Sequence, residues 1–226
     1  MKDGDTRDET EVAVFALLRS GLDQLNLSYQ ESQVEQLTDL VSILSAWAGR
    51  INLTGHRTPL EMATGLVLDA AALVASLPEI SEAGSLADLG TGAGFPGLPI
   101  AILKPHLQVT LVDSRKKRNH FQREVRRRLS LEHVTPMLGR AEEIPVSASD
   151  IVVAQAMTQP DLALKLMYPW AQPDGILVLP ASEAAIPPVP PAGIEEPELR
   201  EYRVPESGTH RKLWVARVLE AFSSDF

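Results

Sequence analysis

Six residues between positions 88 and 113 have the types and spacing to do chemistry: Asp88, Gly90, Gly92, Gly94, Gly97 and Asp113. The four glycines recur at every second or third position. They follow the short apolar run SLADL and precede LPIAIL, a helical pattern, with Pro96 and Pro99 on either side of Gly97. The order is strand, tight glycine loop, helix. Glycine serves where a backbone takes positive φ or presses against a ligand with no Cβ in the way. The first N–H groups of the following helix point back into the loop, which suits an anionic or carboxylate-bearing ligand. The stretch reads as a cofactor cradle. The rest of the chain offers few reactive groups. There is no cysteine, hence no disulfide and no thiolate metal site. The five histidines are scattered without a His-x-x-x-His pair, so no metal is expected. No catalytic dyad stands out.

Gly92-x-Gly94-x-x-Gly97 alone satisfies the dinucleotide fingerprint, and Asp113 follows at about 20 residues, where a ribose-binding acid belongs. A carboxylate there accepts from both ribose hydroxyls, a logic that serves NAD and S-adenosylmethionine equally. Three features favour S-adenosylmethionine. Asp88 extends the motif to D-x-G-x-G-x-G, which resembles that of class I methyltransferases; Gly90 lengthens the loop, as fits a methionyl group; and the chain ends in two strands without a helix between them, which resembles the reversed seventh strand of that fold. An NAD(P)-dependent oxidoreductase rests on the shared glycines alone.

The elements that hold these residues are legible in outline. Glu11–Leu25 and Ser32–Trp47 carry apolar residues at helical spacing (Val14, Leu17, Leu18, Leu22; Val34, Leu37, Leu40, Val41, Leu44, Trp47). Thr58-Pro59-Leu60-Glu61 is a helix start, with Thr58 as cap, and predicts a third helix to Leu77. After the loop, strands and helices alternate. Gln108–Asp113 reads as a strand, a helix capped by Ser114 runs to Leu129, and His133–Leu138 and Asp150–Ala154 are strands. A helix from Pro160 to Ala171, a Pro-Asp-Gly turn and the strand Gly175–Leu179 complete the series. Such alternation implies a parallel sheet covered on both faces. Ala181–Glu198 is a proline-rich linker, and Leu199–Val204 with Lys212–Leu219 form a hairpin at one sheet edge. The expected organisation is a disordered tail over 1–10, a helical extension over 11–80 and a cofactor-binding domain over 81–226.

Composition sets the boundaries. With 44% hydrophobic residues, 226 residues are enough for a real core. The acidic N-terminus is no signal peptide, and the most apolar stretch, Met62–Leu77, is too short to span a bilayer and carries Asp69 at its centre. A soluble cytoplasmic protein without membrane contact is expected. A net charge of −9 argues against a general polyanion binder. Yet Arg115, Lys116, Lys117, Arg118, Arg123, Arg126, Arg127 and Arg128 fall within one short segment. That patch is compatible with a specific nucleic-acid contact or with a solvated helix face.

The run DLGTGAGFPGLPIAI at Asp88–Ile102 resembles the signature of the RsmG (GidB) family. Asn52-Leu53-Thr54, Leu68-Asp69, Leu111-Val112-Asp113-Ser114, Lys117-Arg118, Phe121, Gly139-Arg140-Ala141-Glu142-Glu143, Arg211 and Leu213 match in order, covering most of 30–220. The resemblance implies a class I methyltransferase: a Rossmann-like, mostly parallel seven-stranded sheet with a C-terminal antiparallel hairpin and an N-terminal helical extension. It implies methylation of guanine N7 in small-subunit (16S) ribosomal RNA with S-adenosylmethionine, by a monomer acting on the RNA or the small subunit. By position, Asp88, Gly90, Gly92, Gly94 and Phe95 match the loop around the methionyl end, Asp113 the ribose-binding acid, and Ala141-Glu142 the pair flanking the adenine. Lys117, Arg118, Arg140 and Arg211 match basic positions that face RNA or cofactor.

The sequence departs from the family pattern at several places. Gly65 and Leu66 stand where an Arg-His pair is usual, and Ala70 stands for serine. Gln155 replaces an arginine after the fourth strand, Pro180 a lysine and His120 an arginine. Arginine to glutamine removes a fixed charge and a bidentate fork. These changes support an alternative, a divergent cofactor-binding relative with another substrate or no activity. Guanine N7 carries an in-plane lone pair, so transfer needs alignment rather than a general base. Gln155 is the candidate for touching cofactor or base.

Overall fold

The computed structural model describes residues 8–49, 51–155, 158–181 and 186–222. The expected tail over 1–10 lies outside these up to residue 7. Asp8 instead caps the first helix, its carboxylate accepting from the Glu11 N–H at 2.8 Å. Helices α1 (Glu9–Gln24) and α2 (Glu31–Ala48) bury the anticipated stripes, including Val14, Leu18 and Leu22 on one and Leu37, Leu40 and Leu44 on the other.

The third helix starts as predicted, with a reciprocal capping box. The Thr58 hydroxyl accepts from Glu61 N–H, and the Glu61 carboxylate accepts from Thr58 N–H, both at 3.2 Å. It does not run on regularly to Leu77. It passes from α3 (Pro59–Met62) through a π-helical stretch, Ala63–Leu68, into α4 (Asp69–Ala75). Gly65 is the weak helix former inside that stretch. The His56 ring fills the space of its missing side chain: a Cβ at 65 would lie 2.4 Å from His56 Cε1.

Seven strands follow: β1 (Ser85–Leu89), β2 (Gln108–Asp113), β3 (Val134–Leu138), β4 (Ser149–Ala154), β5 (Ala171–Ala181), β6 (Glu198–Arg203) and β7 (His210–Arg217). Their order is β3-β2-β1-β4-β5-β7-β6. The first five are parallel; β7 is antiparallel to both β5 and β6, so the expected hairpin inserts its second strand next to β5. Side chains alternate between the two faces. Leu86, Leu111, Ile151, Val153, Ile176, Leu213 and Val215 join the core formed with α1, α2, α4, α5 (Gly97–Leu103) and α6 (Lys116–Arg128). Ala87, Leu89, Val112, Val152, Leu177, Leu179 and Trp214 join a second core under α7 (Pro160–Met167) and Trp170.

Three expected boundaries shift. Ser114 does not cap α6; Arg115 is the cap residue, and Asp113 Oδ1 takes the Arg115 N–H at 2.8 Å. Helix α7 ends at Met167 rather than Ala171. Tyr168–Trp170 tighten into a 3₁₀ turn that buries Trp170 and lets its indole N–H donate to the Ala141 carbonyl at 3.1 Å. The Pro-Asp-Gly segment is a bulge inside β5, where the register with β4 jumps from Ser149↔Ala171 to Ile151↔Ile176. Asp174 there has φ 64°.

Because the helical extension and one sheet face share one core, truncating Leu40 at α2 should weaken the whole chain. Leu40→Ala is expected to cost about 2–5 kcal/mol in a single urea transition, read in parallel by near- and far-ultraviolet dichroism. Two separated transitions would show that the extension unfolds by itself.

Candidate functional site

The glycine loop closes on a buried carboxylate. Asp88, at the end of β1, is fully buried. Its Oδ2 accepts from the Thr91 hydroxyl at 2.5 Å and the Gly97 N–H at 2.8 Å. Among the described residues no cation pairs with it, and Oδ1 is buried with no partner. Burial pushes its pKa up to about 7, against the downward pull of those two hydrogen bonds. Gly97 must be glycine for space, since a Cβ would lie 2.3 Å from Leu111 Cδ2 and 2.8 Å from Asp88 Oδ2. Gly92 must be glycine for backbone conformation, with φ 64°; Gly90 and Gly94 also lie at positive φ. A Cβ at Gly92 would meet nothing nearer than the Arg118 guanidinium at 3.9 Å, so the backbone there is open to a ligand.

The loop is tied on its second side to β2 and α6. Asp113 is almost completely buried, and its Oδ2 accepts from the Gly92 N–H at 3.0 Å and from Arg118 Nη1 at 3.2 Å. Gln122, wholly buried, donates through Nε2 to the Gly92 carbonyl at 2.8 Å, and its Oε1 has no partner among the described residues. Sequence reasoning missed Gln122. The available signal is a polar residue on the buried stripe of α6, one position after Phe121 and three before Val125.

The stretch after β3 reaches the same end of the sheet, where the Gly139 N–H donates to the Asp113 carbonyl at 3.1 Å. Ala141 is buried; Glu142 is exposed beside Arg140, whose Nη1 lies 3.7 Å from it. Arg140 itself is well exposed and also approaches Glu143. The structure therefore brings together Asp88, Gly90, Gly92, Gly94, Asp113 and the 139–142 turn, along the carboxyl ends of β1, β2 and β3.

Gln155 lies at the corresponding end of β4, half-buried, and lines a pocket with Phe95 and Pro96 from the loop. Gly65, Leu66 and Ala70 line it too, so four of the positions that depart from the family pattern meet in one place. His120 lies elsewhere, edge-on to Trp47 at 5.6 Å, and Pro180 pairs with Leu213 in the sheet. Asp69 also faces the pocket and is buried. Tyr202 donates to its Oδ1 at 2.9 Å, and Arg211 Nη2 lies 3.4 Å from its Oδ2. Burial raises the Asp69 pKa, against Arg211 and Tyr202, which lower it.

The basic segment divides in two. Arg126 pairs with Glu132, and Arg127 and Arg128 both pair with Glu124. Among the described residues, Arg115, Lys116, Lys117 and Arg123 make no ion pair and are exposed. Arg115, Lys116, Lys117 and Arg118 line a cleft with Ile51, Asn52 and Leu53. Among the described residues there is no group of acids and histidines that could hold a metal, and no helix long and apolar enough to cross a membrane.

An order of β3-β2-β1-β4-β5-β7-β6 with only β7 reversed, and a glycine loop at the switch point between β1 and β4, defines a class I methyltransferase fold. A solved structure of a SAM-dependent methyltransferase from Aquifex aeolicus superposes with a TM-score of 0.51 at 19% identity, covering 70% of this chain and 93% of that one. The [4+2]-cyclase SpnF does so at 0.54 and 18%, covering 86% and 98%. The chain belongs to the GidB family, rRNA small subunit methyltransferase G, whose model matches residues 33–184. The ribosomal RNA small subunit methyltransferase G of Haemophilus influenzae is 41% identical over 156 residues, 69% of this chain and 73% of that protein. The enzyme of the same name from Alteromonas mediterranea is 38% identical over 163 residues, covering 70% and 72%.

The raised pKa of Asp88 has a measurable sign. In the unfolded chain it takes up a proton near 3.8, in the folded chain near 7. Between those values the folded state holds the extra proton, so the stability due to Asp88 falls as pH rises from about 4 to about 7 and is level above. The unfolding free energy of the unaltered protein minus that of Asp88→Asn is expected to drop by about 2 kcal/mol between pH 5 and 7.5 in urea titrations. A constant difference would place Asp88 as an ordinary carboxylate.

Proposed function

We propose that this chain transfers a methyl group from S-adenosylmethionine to guanine N7 of small-subunit ribosomal RNA, acting as a monomer in the cytoplasm. One observation carries the reading: a backbone cradle at Gly90–Gly94, closed on Asp88, presents the Asp113 carboxylate beside an open Gly92. The donor set suits this cofactor. Asp113 keeps one acceptor site, on Oδ1, for a ribose hydroxyl after its bonds to Gly92, Arg118 and the Arg115 N–H. Ala141 and Glu142, brought to the end of β2, flank the adenine. Gly90, Gly92, Gly94 and Phe95 wrap the methionyl end, and Asp88 Oδ1, buried with no partner among the described residues, is left as an acceptor for an ammonium or hydroxyl.

When bound, S-adenosylmethionine supplies a methyl group on a positively charged sulfur. The chain's own part is to align and to exclude water. No side chain has to take a proton, because N7 already carries its lone pair. Phe95 and Gln155, at the ends of loop and β4, position the acceptor base. The RNA backbone lies across the amino-terminal half of α6, where Lys117 joins the unpaired Arg115 and Lys116. Arg118 steadies Asp113, and the exposed Arg140 and the hairpin Arg211 flank the site.

Transfer of labelled methyl to small subunits from a strain lacking the endogenous enzyme tests the reading; label mapped to guanine N7 is the expected outcome. Label elsewhere, or none with cofactor binding intact, would reject it. Asp113→Ala should weaken cofactor binding at least about tenfold by calorimetry, equivalent to one charged hydrogen bond. The double variant Lys116→Ala, Lys117→Ala should lower RNA affinity and reduce the salt slope by about 1–2, with cofactor affinity unchanged.

A further inference from the structure

One arginine belongs both to the glycine loop and to the basic cleft. Arg118 donates from Nη1 to Asp113 Oδ2 at 3.2 Å, and its side chain is 28% exposed. The same guanidinium lies against the open backbone of Gly92, 3.9 Å from where a Cβ would stand. It also lines the cleft with Asn52, Arg115, Lys116 and Lys117. That cleft measures about 300 Å³, the size of a small ligand site, so a phosphate and its sugar fit. A guanidinium has five N–H donors in one plane. Among the described residues Arg118 uses one of them, toward Asp113.

Three donors decide where the free acceptor site of Asp113 points. Oδ2 takes the Gly92 N–H and Arg118, and Oδ1 takes the Arg115 N–H. Two of these donors are backbone groups, fixed by the loop and by the start of α6. The third sits on a long, part-exposed side chain, and ordering such a side chain costs entropy. A second anion on the remaining N–H groups orders the same guanidinium. Whichever ligand binds first bears that cost, and the next one binds to a side chain already held. The planar fork lets both bonds form at once, which a point charge on a flexible stem does not. Among the described residues Arg115, Lys116 and Lys117 add charge to the cleft, yet none of their side chains pairs with Asp113.

We infer that Arg118 is a positioning residue shared by two ligands: it aims Asp113 at the cofactor ribose while its remaining N–H groups hold a phosphate of the RNA backbone in the Asn52 cleft. The two ligands therefore bind with positive coupling, each raising the affinity for the other by the same factor. This rests on the proposed transfer to RNA and adds to it a means by which the RNA loads the cofactor site. Lys116 and its exposed neighbours set the affinity for RNA, and Arg118 sets the coupling.

The test measures binding rather than turnover. S-adenosylhomocysteine, the cofactor without its methyl group, is titrated by equilibrium dialysis at one fixed salt concentration. The titration is run with and without saturating small subunits from a strain lacking the endogenous enzyme. The unaltered protein is expected to bind it at least about fivefold more tightly with small subunits present. Arg118→Lys keeps the charge without the fork, and its ratio is expected to fall to within about twofold of unity, with folding checked by thermal melting. Lys116→Ala is expected to bind small subunits more weakly and to keep the ratio. A ratio near or below one for the unaltered protein would overturn the inference, and this arm needs no variant to fold. A folded Arg118→Lys that keeps the ratio would also overturn it. So would loss of the ratio in Lys116→Ala, which would trace the coupling to diffuse charge. Failure of the unaltered protein to bind either ligand would instead overturn the proposed function, and this inference with it.

Discussion

The site depends on one buried carboxylate. Asp88 Oδ2 joins the Thr91 hydroxyl and the Gly97 N–H, the two ends of the loop, at the last turn of β1. An unpaired buried carboxylate is disfavoured in its charged form, and those two donors offset only part of that cost. The contact fixes where the loop leaves the strand and where α5 begins. Gly97 can sit 2.8 Å from the carboxylate only because it carries no Cβ. From that anchor the positive φ angles of Gly90, Gly92 and Gly94 turn the backbone over the end of the sheet. Asp113 and Gln122 then hold Gly92 by its N–H and its carbonyl.

Charge on α6 is arranged by distance from this anchor. At the carboxyl end, arginines and glutamates neutralise one another on the surface, where such pairs contribute little to stability. At the amino end, one arginine turns inward to Asp113 and the neighbouring cations remain exposed over the Asn52–Leu53 turn. An acidic protein with a net charge of −9 thus carries a confined positive surface beside its glycine loop. Such an arrangement favours a specific polyanion over general ones.

Much of this was legible from local rules. The capping box at Thr58, the stripes of α1 and α2, the buried strands and the reversed hairpin each follow from a pattern confined to a few neighbouring residues. The errors share one cause. Asp113, not Ser114, receives the Arg115 N–H because β2 ends beside the glycine loop. Trp170 ends α7 early because its indole reaches Ala141, on a turn 29 residues away in sequence. Inside the irregular turn at Ala63–Leu68, the His56 ring fills the space of the side chain that Gly65 lacks. Each is a contact between segments, invisible to a local pattern.

By itself the sequence determined the class of fold, the glycine cradle with its two aspartates, and the family, because these rest on residue types at short, fixed spacings. Glycine geometry and strand alternation are properties of the local backbone, and they survive any tertiary context. Only the tertiary structure decided which cations are free, that Gln122 supports the loop, and that Asp69 meets Phe95 and Gln155 in one pocket. Tyr202 and Arg211 reach Asp69 across more than 130 residues of chain, through the insertion of β7 between β5 and β6. Partner choice for a buried charge is settled by which elements pack together, and packing is a property of the whole chain.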